Sequence, residues 1–287
     1  MRRFFNNMKT TMLMAGLMGL CLGIGYLIGG PSAMLPALLI GGVMNIIALF
    51  FSDKIALASM RAQPVTAQDD PVLFNMVERL SQKAGLPMPR VFMSPAAAPN
   101  AFATGRSPSH SVVCVTAGLR QILNDRELEG VISHELAHIR NRDMLISTMA
   151  AIIGGAITYL AYMAMFFGHS RDDDEGGHPI VGLLLMVLAP LAAGIIQMAV
   201  SRSREYEADR MGGEICGSPR SLASALQKLA VGNSRIPLPV NDAKSNMFIV
   251  QPLTGHGGVA KLFMTHPPIE ERVNRLMQME QEGNYLR

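Results

Sequence analysis

The sequence predicts a mainly helical membrane protein with a small β-sheet, its soluble part assembled from two separated segments. Three observations carry this reading. Long apolar stretches occupy residues 10–30, 34–51, 144–167 and 180–200. The charges that flank them put both soluble segments on one side of the bilayer. Between residues 90 and 119, short runs rich in β-branched residues are bracketed by Pro and Gly, the mark of short strands.

Each apolar stretch approaches or exceeds the ~20 residues that a helix needs to cross a bilayer. Together they explain a chain that is 49% hydrophobic and only 16% charged, with a mean hydropathy of +0.25; soluble domains carry about 25% charged residues. The first stretch is long, lacks a small-residue cleavage site and is followed almost at once by the second, so it reads as a retained anchor. Arg2, Arg3 and Lys9 precede the first span, Lys54 and Arg61 follow the second, and Arg140 and Arg142 precede the third. Positive flanks stay cytoplasmic. The turn at 30–33 is uncharged, and the loop after the third span holds Asp172, Asp173, Asp174 and Glu175 against Arg171, so both face outside. The expected organisation is a transmembrane hairpin in residues 1–60, the first part of a cytosolic domain in 61–143, a second hairpin in 144–200 and the remainder of the domain in 201–287, with both termini cytoplasmic.

Within the first soluble segment the expected strands are Val91–Met93, Asn100–Thr104 and Val112–Val115. Cys114 and Cys216 fall in the cytoplasmic parts, where no disulfide framework is expected. The net charge of +3 comes without a basic run or an aromatic-rich patch, which argues against a nucleic-acid partner and fits an anionic lipid bilayer.

His134-Glu135-Leu136-Ala137-His138 is the segment with the most chemistry. On a helix, imidazoles four residues apart point to one side. Neutral imidazoles are good Zn²⁺ ligands, and a Glu beside the first of them sits next to a water on the metal rather than on the metal itself. A peptidase zinc needs a third protein ligand. Ser201–Asp209 supplies carboxylates: Glu205 and Asp209 share a helical face, while Glu207 projects about 200° around from Glu205. The spacing favours Glu205 as ligand, with Asp209 accepting the free N–H of a bound imidazole. Glu207 as ligand, or salt bridges from Arg202 and Arg204 along the helix, are the other readings. His138 lies six residues before Met144 and Glu205 five after Val200, so both sit roughly 8 to 9 Å from the same bilayer face.

The HELAH motif, the SRSREYEAD segment at 201–209, the THPPIEERV stretch at 265–273 and the paired apolar hairpins resemble the HtpX family of bacterial heat-shock membrane metalloproteases. The resemblance spans nearly the whole chain. It implies a zincin-like metallopeptidase domain, one Zn²⁺ per chain, a place in the bacterial inner membrane, and endopeptidase action on misfolded or damaged membrane proteins as part of protein quality control. Carried over by position, it makes His134, His138 and Glu205 the metal ligands and Glu135 the catalytic base. It also favours His266 as a donor to the oxyanion, although a His before two prolines is equally the start of a helix that opens on Glu270 and Glu271. Asn100 and Ala101 resemble the edge segment by which zinc peptidases hold substrate backbone; the same residues also suit a buried sheet edge beneath the metal helix. Thr254–Gly258 reads as a flap near the site. A prenyl-protein-type peptidase and a non-proteolytic zinc-binding scaffold or sensor are the alternatives, and an intact Glu135 speaks against the latter.

Overall fold

The computed structural model describes residues 50–150, 179–235 and 267–283, together with 43, 47, 153, 154, 157 and 285. In chain order the elements are β1 (Gln63–Pro64), α1 (Pro71–Ala84), β2 (Arg90–Ser94), β3 (Ala101–Gly105), a 3-10 turn (Pro108–His110), β4 (Ser111–Thr116), α2 (Ala117–Ile122), α3 (Asp125–Asn141), α4 (Pro179–Cys216), α5 (Pro219–Arg235) and α6 (Ile269–Glu282). The chain divides into one compact unit of Met1–Leu49 with Ile146–Ser203 and another of Phe50–Leu145 with Arg204–Arg287. The second unit contains the sheet and the metal-ligand motif.

The sheet has the order β1-β2-β4-β3. β4 lies parallel to β2 and antiparallel to β3, with Ala101 opposite Val115 and Thr104 opposite Val112. Every residue of β4 is buried, which accounts for its unbroken Val112-Val113-Cys114-Val115 run, since a central strand covered on both faces need not alternate. β3 is an edge strand. Burial pushes the Cys114 thiol up to about 12 and the Cys216 thiol up to about 11, so neither is a reactive thiolate.

The helices begin and end where side chains satisfy their free backbone groups. Asp70 caps α1, accepting from the Leu73 amide at 2.9 Å, and Gly85 closes it at φ +67°. Asn124 and Glu127 form a reciprocal capping box at the start of α3, as the Asn-x-x-Glu spacing allows. Leu128, Val131, Ile132 and Leu136 of α3 pack with Leu73, Val77 and Leu80 of α1, Val113 and Val115 of β4, Leu222, Leu226 and Leu229 of α5, and Leu276 of α6. α3 and α5 approach so closely that a Cβ at Gly130 would lie 2.7 Å from the Leu222 nitrogen, a crossing open only to glycine.

Glu127 also ties these two helices. Its carboxylate accepts from Ser224 Oγ and Lys228 Nζ, each at 2.7 Å, and from the Asn124 amide at 3.0 Å. Burial works against its ionisation, but the hydrogen bonds from Lys228, Ser224 and Asn124 outweigh it and hold the carboxyl below its ordinary value of 4.5. Such a carboxylate stabilises the fold fully above its unfolded pKa and loses that contribution as pH falls through the folded one. Glu127→Ala is expected to cost about 2 kcal/mol in denaturant unfolding at pH 7. Acidification below pH 4.5 should then narrow the gap to the wild type, whereas a gap that stays constant with pH would count against this account.

Among the described residues no helix is long and apolar enough to cross a membrane. The expected span at 10–30, and most of those at 34–51 and 144–167, lie outside the described residues. That at 180–200 falls within α4.

Candidate metal centre

α3 puts His134 and His138 on one face, with their rings at 86° and their Nε2 atoms 3.1 Å apart. α4 delivers Glu205, whose Oε2 is 3.7 Å from His134 Nε2 and whose Oε1 is 3.5 Å from His138 Nε2. The approach of α4 to α3 depends on a bare backbone: a Cβ at Gly212 would already stand 3.0 Å from His134 Cα. Behind the imidazoles, Asp209 Oδ1 lies 3.1 Å from His134 Nδ1 and Asp143 Oδ2 lies 2.7 Å from His138 Nδ1. Asp143 accepts the Nδ1–H of His138, which turns the Nε2 of that ring toward the shared centre, and Asp209 stands beside His134 Nδ1 as its charge partner. The two Nε2 atoms, 3.1 Å apart, can either share one proton as a hydrogen bond or both turn to a single cation. Tetrahedral ligands about 2.0 to 2.1 Å from Zn²⁺ stand roughly 3.3 Å from one another, close to the separations here.

Charge points the same way. Glu135, Glu205, Asp209 and Asp143 are all buried, against the buried guanidiniums of Arg204 and Arg272. With all four carboxylates ionised the cluster is two charges negative, and buried charge demands a partner. A divalent cation closes the balance. Lacking it, burial drives the Glu135 carboxyl above its ordinary range, with Glu205 adding to the rise. For His138 burial opposes protonation, yet Asp143, Glu205 and Glu135 prevail and raise it to about 9. Asp209 stays ionised because Arg272 and His134 outweigh its burial.

Of the residues the sequence singled out, His134, His138 and Glu205 come together, each offering a ligand atom within 4.8 Å of the others'. Glu135 lies in the same cluster, its carboxylate hydrogen-bonded to the Ala103 backbone of β3. Glu207 turns away to Arg210 at 2.7 Å. Ala101 begins β3, but Asn100 faces inward: its amide donates to Thr116 Oγ1 at 2.8 Å and its carbonyl accepts from the Thr116 amide at 2.9 Å. By the alternation of an antiparallel ladder, Ala101, Ala103 and Gly105 then direct their backbone groups away from β4. His266 and Thr254–Gly258 lie outside the described residues.

Arg272 is a residue that local spacing did not reveal. It is fully buried, grips Asp209 with two hydrogen bonds of 2.7 and 2.8 Å, and comes within 3.4 Å of Glu205 Oε2. An arginine inside the apolar stripe Val273, Leu276, Met279 of α6 was the available signal.

Residues 67–280 match the model of peptidase family M48. The chain belongs to this family. Relatives in M48 include a protease HtpX homolog of Gemmatimonas aurantiaca, 50% identical over 276 residues (96% of this chain and 99% of that one), and another of Ralstonia pickettii, 50% identical over 284 residues (98% and 99%). The homolog of Pelotomaculum thermopropionicum is 51% identical over 279 residues, covering 96% and 99%. The crystal structure of S. mikatae Ste24p shares the fold, with a TM-score of 0.59 at 18% identity over 95% of this chain and 66% of that one. As a member of M48 the chain is a metalloprotease.

Proposed function

We propose that the chain is a zinc-dependent, membrane-embedded endopeptidase that cleaves misfolded or damaged membrane proteins at the cytoplasmic face of a bacterial inner membrane. The observation that carries this is the convergence of His134, His138 and Glu205 on one point, with Glu135 buried beside them. One Zn²⁺ held by these three side chains supplies a Lewis acid that polarises the scissile carbonyl and acidifies the attacking water.

The remaining chemistry belongs to the protein. Glu135 takes a proton from the attacking water and hands it to the leaving amine nitrogen. Burial, which favours its neutral form, suits a group that must accept a proton and then return it. The Ala103 backbone fixes its carboxylate at the sheet edge. Asp143 holds His138 in the Nδ1–H tautomer, and Asp209 sets a negative charge beside Nδ1 of His134. Along β3, Ala101 and Gly105 offer outward backbone groups on which an extended peptide can add as a further strand, so side-chain preference is broad. Four apolar stretches, each near or above the length needed to cross a bilayer, suit an enzyme whose substrates are membrane-protein segments.

The test uses the full chain purified in detergent with a chelator. Addition of one equivalent of Zn²⁺ is expected to start self-cleavage and casein cleavage, and renewed chelation to stop both. Zinc bound at one equivalent with no cleavage, even of membrane-protein substrates, would establish a non-proteolytic zinc protein instead.

A further inference from the structure

We propose that the buried Arg204–Asp143 pair is a positioning device which orients His138 and so sets how tightly the centre holds its cation; this rests on the reading that His134, His138 and Glu205 hold zinc. The pair lies behind the second imidazole as Arg272–Asp209 lies behind the first. Asp143 uses its two oxygens for different tasks. Oδ2 lies 2.7 Å from His138 Nδ1, while Oδ1 accepts from both Nε and Nη2 of Arg204. The same guanidinium donates from Nη2 to the Asn141 carbonyl at 3.0 Å, so it grips the chain on both sides of Arg142.

Arg142 explains why such a grip is needed. α3 ends there in the left-handed region, at φ 56°, a conformation that strains a non-glycine residue. Helix resumes at residue 143. This kink brings Asp143 back against His138, five residues earlier, and Arg204 holds the kinked chain at both of its shoulders. Both partners are buried. Removing the guanidinium leaves a buried carboxylate without its counter-charge, free to leave the imidazole in search of water.

Two further features give the pair its consequence. Arg204 immediately precedes Glu205, so one turn of α4 supplies both a ligand and the cation that holds the support of another ligand. The chain also leaves the second compact unit after Leu145 and returns to it at Arg204. The pair therefore clasps the outgoing and returning strands of chain at the point where they meet the metal ligands.

The experiment compares Asp143→Asn, Arg204→Gln, their combination and Arg204→Lys in the full-length protein in detergent. Three quantities are read: the Zn²⁺ dissociation constant by competition with a chromogenic chelator, the visible absorption of the Co²⁺-loaded protein, and kcat and KM for casein. Asp143→Asn and Arg204→Gln are each expected to weaken Zn²⁺ binding about 10- to 100-fold, to alter the cobalt spectrum, and to lower kcat with KM unchanged. The combined variant should bind no more weakly than Asp143→Asn alone, because Arg204 acts through Asp143. Wild-type affinity and spectrum in Asp143→Asn, or losses that multiply in the combined variant, would overturn the proposal. If Asp143→Asn lowers the thermal midpoint of the metal-free protein, Arg204→Lys decides: partial recovery of affinity over Arg204→Gln supports the device, and no recovery refutes it. A wild type that binds no zinc sinks the zinc reading itself, whereas a wild type that binds and cleaves beside indifferent variants sinks this inference alone.

Discussion

Glu135→Gln is expected to lower kcat about 10²- to 10⁴-fold while zinc remains bound at one equivalent. The amide has the shape of the carboxylate and can occupy the same buried place beside the Ala103 backbone, but it cannot take a proton from water. The predicted separation of effects follows from position: among the described residues the three side chains whose ligand atoms lie within 4.8 Å of one another are His134, His138 and Glu205, and Glu135 is not among them. Zinc content by elemental analysis and steady-state cleavage of casein, measured on the same preparation, make the comparison. Wild-type turnover in the variant would mean that another group moves the proton; loss of zinc would mean that Glu135 is a ligand.

The largest stability effect is expected at Arg272. Arg272→Met keeps much of the apolar stem and removes the charge from a position with 0% exposure, leaving Asp209 without its two hydrogen bonds and Glu205 without a cation 3.4 Å away. Breaking a buried ion pair on one side costs about 3 to 5 kcal/mol, because the remaining charge cannot reach water. Denaturant unfolding of the metal-free protein should show the full loss. Zinc should reduce it, since a cation on Glu205 restores part of the missing positive charge. A loss below about 1 kcal/mol in the metal-free state would show that solvent reaches Asp209 and that the guanidinium is not its main support.

The parts of this molecule that were legible in its sequence are those whose partners lie close along the chain. The paired histidines needed only the helical repeat. The strands of 90–119 fell within a residue or two of their observed ends because β-branched runs and turn residues alternate there. β1 was not foreseen: at two residues it exists by virtue of pairing with Phe92 and Met93. Arg272 and Asp209 are 63 residues apart, and Arg204 and Asp143 are 61 apart, so no local pattern joins them. Asn100 was aligned with the sheet edge, yet Thr116, 16 residues on, takes both of its backbone groups. The choice of Glu205 over Glu207 was open to helical geometry alone, given that only Glu205 shares a face with Asp209.

That face has a further member. Glu205, Asp209 and Gly212 follow at intervals of four and three along α4, so the candidate ligand, the carboxylate behind His134 and the bare patch that admits His134 form a single stripe. A point substitution alters one of these and leaves the others in place. Loss of one residue between 205 and 209 turns everything beyond it by about 100°: Gly213 then stands where Gly212 meets α3, but Arg210 takes the place of Asp209 behind His134. In this stretch the count of residues is therefore as strict a requirement as their identity.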